Sequence, residues 1–499
     1  MGQIVADPPS RRSPDPEPVG VSSASTPRWL SPIALTVLGS VALAALSAAA
    51  LPTVPSYDPW SWIVWGREVV DPHLSFATGG GPSWKPLPVI FTTVYALFGA
   101  AAPTLWVITA RAGGLLALVG AWRVAARLAG DRTRLGGPIA GAVALLGVLL
   151  TQDFSYYMFR GTSEPIVIAT ALWSVDRLLA RRYGQAFGVM VVGGLLRPEW
   201  WPFLGLYGLW LWVKQPRLRP LVLAGLVVQP LLWFVPPWIG SGQPFLAAAH
   251  AREYNGHLGN HPVLTALRRA YDLQVAPVLI AATIGAALAW LRDRDWTVVA
   301  LVAGAGAWIA VVIGMVIDGY PGLERFFLPA SAALCVLAGV GVARVAELAG
   351  ARLPSIPWAP VAVAVALVAI SIPLASSRIS DARAQEPTAR LAVKTLNELT
   401  DAVDAAGGRN AVYPCKSSFA AVNHGAQTAL SWKLHVTMGR VGTTLRHPGL
   451  DFIGPHNSID GGAAPVARGL VRDGVVARAG GWQVVRYIRP GHFSACVGR

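Results

Sequence analysis

Two charged side chains at the ends of one polar loop could do chemistry together. Asp58 stands between Tyr57 and Trp60, whose rings could shield the carboxylate from water and orient a ligand, and Lys85 follows Trp84 at the far end of the loop. A carboxylate in such surroundings can take a proton from a hydroxyl group, and a lysine ammonium can bind a phosphate as a mobile point charge. The two residues therefore indicate displacement of a phosphate by a hydroxyl nucleophile.

Both residues also have a purely structural interpretation. Asp58 precedes Pro59, and Asp before a proline at the first helical position is a common N-cap, so Asp58 could cap the following helix. Lys85 could be a lysine that extends its ammonium to the membrane interface while its methylene groups stay in apolar surroundings. The functional interpretation is favoured for both, and for Asp58 the two roles are compatible.

Further charged residues stand where the chain leaves its apolar segments. Arg160 and Glu164 are four residues apart, so they could bind a ligand or simply pair on one helix face. Arg197 and Arg325 each end an apolar run, where an unpaired arginine is costly, so each is a ligand or an ion-pair partner. The partner would be Glu199 for Arg197 and Glu324 for Arg325. The predicted phosphate ligands are Lys85, Arg160, Arg197, Arg325 and Arg111, and the predicted substrate contacts are Tyr57, Trp60, Trp84, Glu164, Glu199, Tyr254 and Glu324.

The elements that must position these residues are membrane helices. Of the 499 residues, 54% are hydrophobic and only 13% are charged, which is too apolar for a soluble enzyme of this size. The net charge of +15 comes from arginines and lysines that cluster between apolar runs, as the positive-inside rule expects of cytoplasmic loops. We therefore predict an all-α polytopic membrane protein that lies in the bilayer of the inner (cytoplasmic) membrane and binds no nucleic acid.

The alternation of basic and non-basic loops predicts the topology. The first span follows a polar leader at 1 to 30, which is predicted to be disordered and cytoplasmic. The apolar run at 86 to 101 is shorter than the ~20 residues of a full crossing and begins with two prolines, so it predicts a re-entrant or interfacial helix. Eleven spans are predicted, at 33 to 51, 105 to 127, 137 to 152, 164 to 182, 185 to 198, 200 to 213, 218 to 239, 273 to 291, 296 to 316, 326 to 346 and 357 to 376.

The composition changes near residue 379. Residues 31 to 378 form the predicted membrane domain, with a first external loop at 52 to 104, and 379 to 499 predict a small extracytoplasmic α/β domain. The fifth and sixth spans are short and are separated by a polar break at 196 to 202, so we expect them to be tilted or broken around a cavity. In the C-terminal domain a helix is predicted from Ala389 to Ala406 and strands from Asn410 to Tyr413, Val475 to Ala477 and Gln483 to Ile488.

Metal and cysteine chemistry contribute little to the prediction. The histidines His250, His257 and His261 have no zinc-site spacing, so no metal ligand or cofactor is predicted, although a divalent metal is left open. A bridge between Cys415 and Cys496 is favoured over two free thiols if the C-terminal part is exported. The sequence has no glycine-rich phosphate loop and no nucleophile elbow, which argues against a nucleotide-linked substrate.

The residues of the first loop follow a recognisable order. They are Tyr57-Asp58, Trp60, Trp65, Gly66, Arg67, Trp84-Lys85-Pro86-Leu87, Phe98-Gly99 and Arg111. This order resembles the first loop of the GT-C glycosyltransferases, in the branch of protein O-mannosyltransferases and aminoarabinose transferases. Arg160 with Glu164, and the run from 324 to 329, are similar to two later motifs of that branch. Asp58-Pro59 stands where the family usually has two acids, and Lys85-Pro86-Leu87 where it has Lys-Pro-Pro, so a metal ligand is not carried over.

The resemblance implies a GT-C-like fold and an inverting glycosyltransferase. Such an enzyme transfers a sugar from a polyprenyl-phosphate carrier to an envelope glycan, lipid or protein on the extracytoplasmic face, with Asp58 as the base. The alternative is a transporter or flippase of lipid-linked sugars. The sequence shows no repeated halves, and its charges gather in the loops rather than at the bilayer midplane, which favours the enzyme. A third hypothesis is a non-catalytic membrane scaffold that binds the cell wall.

Overall fold

The protein is described by a computed structural model that covers residues 31–130, 135–253, 258–415, 417–455 and 465–491. The predicted leader, Tyr254 and Cys496 lie outside these residues, so the predicted disulfide stays a prediction. The chain is mostly helical, with a small sheet near its C-terminus. The helices are α1 (Pro32–Ala50), α2 (Tyr57–Val70), α3 (Pro86–Ala96), α4 (Ala102–Ala129), α5 (Gly136–Leu149), α6 (Phe154–Phe159), α7 (Glu164–Leu179), α8 (Tyr183–Gly194), α9 (Trp201–Lys214), α10 (Arg219–Ser241), α11 (Leu246–Glu253), α12 (Pro262–Asp272), α13 (Ala276–Ala287), α14 (Trp296–Ile317), α15 (Leu328–Arg352), α16 (Ala359–Ser371), α17 (Ser376–Ala405), α18 (Gly408–Val412) and α19 (Gln427–Lys433).

Long apolar helices show that the chain is a multi-pass membrane protein. Six helical stretches of the described residues are long and apolar enough to cross a bilayer, and α16 with α17 gives a seventh, bent by 44°. Four other predicted spans fold as α5, α7, α8 and α9, whose 14, 16, 12 and 14 residues are short for a straight crossing. These four stay predicted spans. The six long stretches are Pro32–Ala50, Gly99–Ala129, Pro216–Ser241, Ala276–Asp293, Trp296–Ile317 and Glu324–Arg352.

Helix α15 lies at the centre of the bundle, because small residues let its neighbours approach closely. A Cβ atom at Gly339 would lie 2.2 Å from the Ala140 carbonyl oxygen of α5. A Cβ atom at Gly341 would lie 2.1 Å from the Ala281 carbonyl oxygen of α13. Such contacts are typical of membrane helices, which associate through close backbone packing rather than through a hydrophobic driving force. The buried helix gives a rigid base to the loop that precedes it.

The first loop folds as two helices in contact. Helix α2 begins at Tyr57 after the extended residue Ser56, two residues earlier than expected, so Asp58 lies inside its first turn rather than at the N-cap. Helix α3 has only 11 residues, which agrees with the short helix predicted at 86 to 101. The Thr92 hydroxyl of α3 donates to the Trp62 carbonyl of α2 at 2.6 Å. The two helices are thereby fixed to each other.

The expected break between the fifth and sixth spans is present. Helix α8 ends at Gly194, Arg197 adopts extended backbone angles, and a 3₁₀ turn at Pro198–Trp200 leads into α9. The Arg197 N–H still donates to the Gly193 carbonyl at 3.0 Å, so the break is an ordered turn. Both charged residues of the break, Arg197 and Glu199, are buried.

The C-terminal region packs one side of α17 against a mixed sheet. The strand order is β2-β1-β4-β7-β6, with β1 parallel to both neighbours and β7 antiparallel to both of its own. The Trp482 indole N–H donates to the Thr395 carbonyl of α17 at 2.9 Å and joins the helix to the sheet. The strands are β1 (Phe419–Val422), β2 (Val441–Gly442), β3 (Thr444–Leu445), β4 (Gly449–Ile453), β5 (Val466–Ala467), β6 (Val471–Ala479) and β7 (Trp482–Ile488).

One predicted strand of this region is wrong. The segment from Asn410 to Tyr413 lies in and just after α18, a single helical turn. Gly407 and Gly408 both have positive φ angles, of 91° and 69°, so the chain reverses after α17 and has room for only one turn before the next bend. The two later strand predictions are confirmed, since they fall within β6 and β7.

Candidate active site

Five of the predicted residues form one row of alternating charges. Arg325 Nη1 lies 3.2 Å from Asp58 Oδ2, and Arg325 Nε lies 4.0 Å from Glu164 Oε1. Arg197 Nη2 lies 2.8 Å from the same Glu164 oxygen, and Arg197 Nη1 lies 3.3 Å from Glu199 Oε1. The row therefore runs Asp58, Arg325, Glu164, Arg197, Glu199, and Glu164 joins its two halves.

Every member of this row stands at the end of a helix or in a break between helices. Asp58 lies in the first turn of α2 and Glu164 is the first residue of α7, where the positive end of the helix dipole favours a carboxylate. Arg197 and Glu199 occupy the break between α8 and α9, and Arg325 lies in the 3₁₀ turn before α15. The bundle thus brings residues from distant parts of the sequence to one end of its helices.

The row has a closed end and an open end. The side chains of Glu164, Arg197 and Glu199 are each less than 5% exposed, whereas those of Asp58 and Arg325 are 20% and 34% exposed. A buried ion pair adds little net stability to the fold, but removing one partner leaves the other charge buried and unpaired, which strongly destabilises the fold. The closed end is therefore a fixed base, and a ligand can reach the row at Asp58 and Arg325.

Lys85 lies beside the row and contacts a neutral group. Its Nζ atom donates to the Ser163 hydroxyl at 2.9 Å and lies 5.1 Å from the centre of the Trp62 ring. Burial lowers the pKa of the Lys85 ammonium to about 8; Glu164 opposes this shift, and Arg197 and Arg325 add to it. Because its hydrogen-bond partner is uncharged, the ammonium can supply its charge to an anion.

Of the two ion pairs that the sequence suggests, the pair of Arg197 with Glu199 forms and the pair of Arg325 with Glu324 does not. The expected pair of Arg197 with Glu199 is present, although Arg197 lies closer to Glu164. Glu324, by contrast, lies 3.1 Å from Arg269 of α12, and Arg269 also donates to the Pro321 carbonyl at 2.9 Å. Arg269 thus holds the loop before α15, and Arg325 is directed to Asp58 instead.

Arg111 and Arg160 are the other two predicted phosphate ligands. Arg111 donates to the Leu51 carbonyl at 2.9 Å and to the Thr53 hydroxyl at 2.8 Å, which fastens the end of α1 to α4. Arg160 is buried, and its carbonyl accepts a hydrogen bond from the Ser56 N–H at 2.9 Å. The phosphate-binding role of both arginines stays a prediction.

Three of the four predicted aromatic contacts lie against other parts of the protein. The Tyr57 ring stacks on His424 with centroids 4.5 Å apart, and the Trp60 ring lies 6.1 Å from Trp432, so both face the C-terminal region. The Trp84 indole N–H donates to a carbonyl of α10 at 3.0 Å and holds the loop in place. Tyr254 lies outside the described residues. These three rings pack against the C-terminal region or α10, and their contact with a substrate stays a prediction.

An apolar cavity of about 340 Å³ adjoins the buried end of the row. It is lined by residues of α4, α7, α8, α9, α14 and α15, and by Trp200, which directly follows Glu199. Phe326 separates it from the charges, because its ring lies 4.7 Å from the Arg197 guanidinium and its carbonyl accepts the Trp308 indole N–H at 2.8 Å. From Trp308 the lining continues along α14 to Thr297, about 16 Å away at the helical rise. A long apolar chain would fit such a cavity.

Sequence reasoning missed several residues around the site. Ser163 immediately precedes Glu164, and its position next to a predicted ligand was a usable signal. The contacts of Gln427 and Thr428 with α2 had no signal, because about 370 residues separate the partners. Among the described residues, no group of three or more His, Cys, Asp or Glu is arranged to hold a metal ion.

No protein-family model and no curated protein matches the chain. Its structure is similar to that of ArnT from Cupriavidus metallidurans bound to undecaprenyl phosphate, with a TM-score of 0.46, 17% sequence identity and coverage of 94% of this chain and 99% of that chain. It is also similar to the apo form of the Archaeoglobus fulgidus oligosaccharyltransferase, with a TM-score of 0.45, 14% identity and coverage of 82% of this chain and 64% of that chain.

Proposed function

We propose that the protein is an inverting membrane glycosyltransferase that transfers a sugar from a polyprenyl-phosphate carrier to an acceptor hydroxyl group. The observation that carries this proposal is the accessible pair of Asp58 and Arg325, with Lys85 nearby, in a row of charges whose buried end adjoins an apolar cavity. The cations suit the phosphate of such a donor, and the cavity suits its isoprenoid tail. A soluble sugar phosphate has no apolar tail that could occupy the cavity.

Each group in the accessible part of the site has a role in this reaction. The Asp58 carboxylate takes the proton of the acceptor hydroxyl group while the acceptor oxygen attacks the anomeric carbon from the face opposite the phosphate. The bond between the anomeric carbon and the phosphate oxygen breaks, and its electron pair stays on that oxygen. Lys85 and Arg325 stabilise the negative charge that develops on the leaving phosphate. The products are the glycosylated acceptor and polyprenyl phosphate.

The buried half of the row holds this machinery in place. Glu164 lies between Arg197 and Arg325 and keeps both guanidinium groups oriented. Because Arg197 is also paired with Glu199, its charge is compensated within the protein. Arg325 and Lys85 are thus the cations best placed to bind the donor phosphate. Arg197 acts indirectly, because it contacts the same Glu164 that orients Arg325.

The acceptor is proposed to be an envelope glycan, lipid or protein on the extracytoplasmic face of the inner membrane. This proposal rests on the charge pattern of the loops, which predicts that the site and the C-terminal region face outward. The polar C-terminal region borders α2, so an acceptor that approaches Asp58 would pass close to it.

The proposal is tested by mass spectrometry of lipid-linked sugars and envelope glycans in cells with and without the protein. We expect cells without it to accumulate one polyprenyl-phosphate sugar and to lack one sugar residue in an envelope component. Asp58→Asn should fail to restore that residue, with transfer reduced at least about 100-fold, as expected for a lost general base. Asp71→Asn, at the residue that caps the other end of this helix, should restore it.

Three outcomes would contradict the proposal at different levels. If neither lipid-linked sugars nor envelope glycans change when the protein is removed, a glycosyltransferase function is wrong. If the glycan is restored by Asp58→Asn at normal protein levels, the enzyme class stands but Asp58 is not the base. A donor that accumulates only on the cytoplasmic side of the membrane would instead indicate a flippase.

A further inference from the structure

The helix that carries Asp58 is held along its length by one segment of the C-terminal region, residues 424–438, which we call the clamp segment. Near the C-terminal end of α2, Arg67 donates to the Trp432 carbonyl at 2.9 Å and to the Val436 carbonyl at 3.0 Å. Glu68 accepts the Met438 N–H at 3.1 Å. The clamp segment is thus anchored to α2 well away from the charged row.

The clamp segment also forms hydrogen bonds with the first turn of α2. The Thr428 hydroxyl donates to the Tyr57 carbonyl at 2.9 Å, and Thr428 is fully buried. The Tyr57 hydroxyl donates to Gln427 Oε1 at 3.1 Å, and Gln427 Nε2 donates to the Val441 carbonyl of β2 at 2.7 Å. Tyr57 is therefore hydrogen-bonded at both its backbone carbonyl and its side chain, and the side-chain bond connects through Gln427 to strand β2.

The bond from Thr428 acts on the backbone of the candidate base. The carbonyl that it binds belongs to the peptide group joining Tyr57 to Asp58, and that group is planar. On the other side, the Ser56 N–H donates to the Arg160 carbonyl at 2.9 Å, and Asp58 itself contacts Arg325. The peptide group is thus held between the membrane helices and the C-terminal region.

We propose that Thr428 is a positioning residue for Asp58, so that the C-terminal region is a working part of the site. This inference rests on the proposed function of Asp58 as the base. The hydroxyl of Thr428 fixes the plane of the peptide group before Asp58 and thereby the direction of the carboxylate. A base that is displaced by about 1 Å can lose about 100-fold in rate. Removing the hydroxyl should leave the region attached, since Arg67 and Glu68 keep their contacts.

The test uses the full-length protein in detergent or nanodiscs, with the lipid-linked sugar that accumulates in cells without the protein as donor. The envelope component that lacks a sugar residue in those cells is the acceptor. Release of polyprenyl phosphate is measured. Thr428→Val, which keeps the shape and removes the hydroxyl, should lower kcat by about 10- to 100-fold while the KM for the donor changes by less than about twofold. Thr428→Ser, which restores a hydroxyl, should recover most of the rate. Thr395→Val, at a buried threonine of α17 in the same region, should leave kcat unchanged.

A second variant and a second readout make the result independent of protein yield. Tyr57→Phe removes only the bond to Gln427 and keeps the ring on His424, so it should lower kcat by a smaller factor than Thr428→Val. Hydrogen exchange should speed up at the Trp60 amide, which donates to the Ser56 carbonyl at 3.1 Å, in Thr428→Val but not in Thr395→Val.

Several results would overturn the inference. These are a wild-type kcat in Thr428→Val, a higher donor KM with unchanged kcat, or no recovery in Thr428→Ser. If Asp58→Asn is inactive while Thr428→Val turns over normally, only the positioning role is wrong. If Asp58→Asn is active, the proposed base is wrong, and the role of Thr428 falls with it.

Discussion

Arg325 can contact either the base or the leaving group of the proposed reaction. It lies 3.2 Å from Asp58 and is partly exposed, so a phosphate that binds its guanidinium group competes with the Asp58 carboxylate. A carboxylate that loses a neighbouring cation becomes a stronger base. Binding of the donor would therefore activate Asp58 at the moment when the acceptor must be deprotonated.

This competition predicts that Asp58→Asn binds phosphate more tightly even though it cannot catalyse transfer. Neutralising Asp58 frees Arg325, and a partly exposed ion pair of this kind contributes about 0.5–1 kcal/mol, so the Kd for farnesyl phosphate should fall about two- to fivefold. Fluorescence titration of the purified protein measures it. Asp71→Asn is the control, since Asp71 pairs with His435 at the other end of α2. An unchanged or weaker affinity in Asp58→Asn would show that the two anions do not share Arg325.

Lys85 predicts a pH dependence of phosphate binding. Burial lowers the pKa of its ammonium to about 8, so Lys85 is charged below pH 8 and neutral above it. The affinity for farnesyl phosphate should therefore fall as the pH rises from 7 to 9, approaching about tenfold per pH unit above the pKa. Lys85→Arg, whose guanidinium stays protonated in this range, should bind with a flat pH profile. A falling profile in both proteins would mean that another group titrates.

The charged residues of the row could be found from the sequence, but of their pairings only Arg197 with Glu199 could be. Arg197 and Arg325 stood out because a charge at the end of an apolar run must be compensated, and both are compensated. The sequence suggested Glu324 as the partner of Arg325, since it is adjacent. The structure pairs Arg325 with Asp58 instead, 267 residues away, because the two helix ends meet only in the folded bundle.

Among the elements, α2 is the one whose surroundings the sequence described least. Its composition predicted a helix at the membrane edge, and Pro59 placed the start within two residues. The sequence places Arg67 and Glu68 side by side in the predicted first external loop. Their binding partners lie in the clamp segment, more than 360 residues further on, and no periodicity or motif connects sites at that separation.

Arg67 is predicted to hold the clamp segment in place. It is buried, and besides its two shorter bonds its guanidinium group donates to the Ser431 carbonyl at 3.2 Å. Arg67→Met keeps the apolar stem and removes these hydrogen bonds from a charged donor, which should cost about 1.5–3 kcal/mol. We expect faster hydrogen exchange throughout residues 424–438. Arg390→Met, at an exposed arginine of α17, is the control, and equal exchange in the two variants would contradict the role of Arg67.

At the scale of the whole molecule, composition alone predicted a membrane protein with a polar C-terminal region. The local segment at 196 to 202 also predicted the break between α8 and α9, because a charged, proline-containing segment inside an apolar run cannot continue a helix. The cavity beside that break depends on how six helices pack. A single sequence carries no measure of that packing, so the cavity could be expected but not located.

The cavity predicts a dependence on the length of the lipid tail. Ala300 lines it on α14, so a phenyl ring at this position would occupy space that a long isoprenoid tail needs. Ala300→Phe should weaken binding of undecaprenyl phosphate about tenfold, the equivalent of about two buried methylene groups, and change binding of the shorter farnesyl phosphate by less than about twofold.

Ala303→Phe separates this effect from a general disturbance of the helix. Ala303 is also exposed on α14 but is not among the residues that line the cavity, so the same ring there should leave both affinities unchanged. If Ala300→Phe weakens the two lipids equally, the ring acts on the phosphate site and not on the tail. If Ala303→Phe matches Ala300→Phe, the tail does not enter the cavity, and the carrier must lie along another face of the bundle.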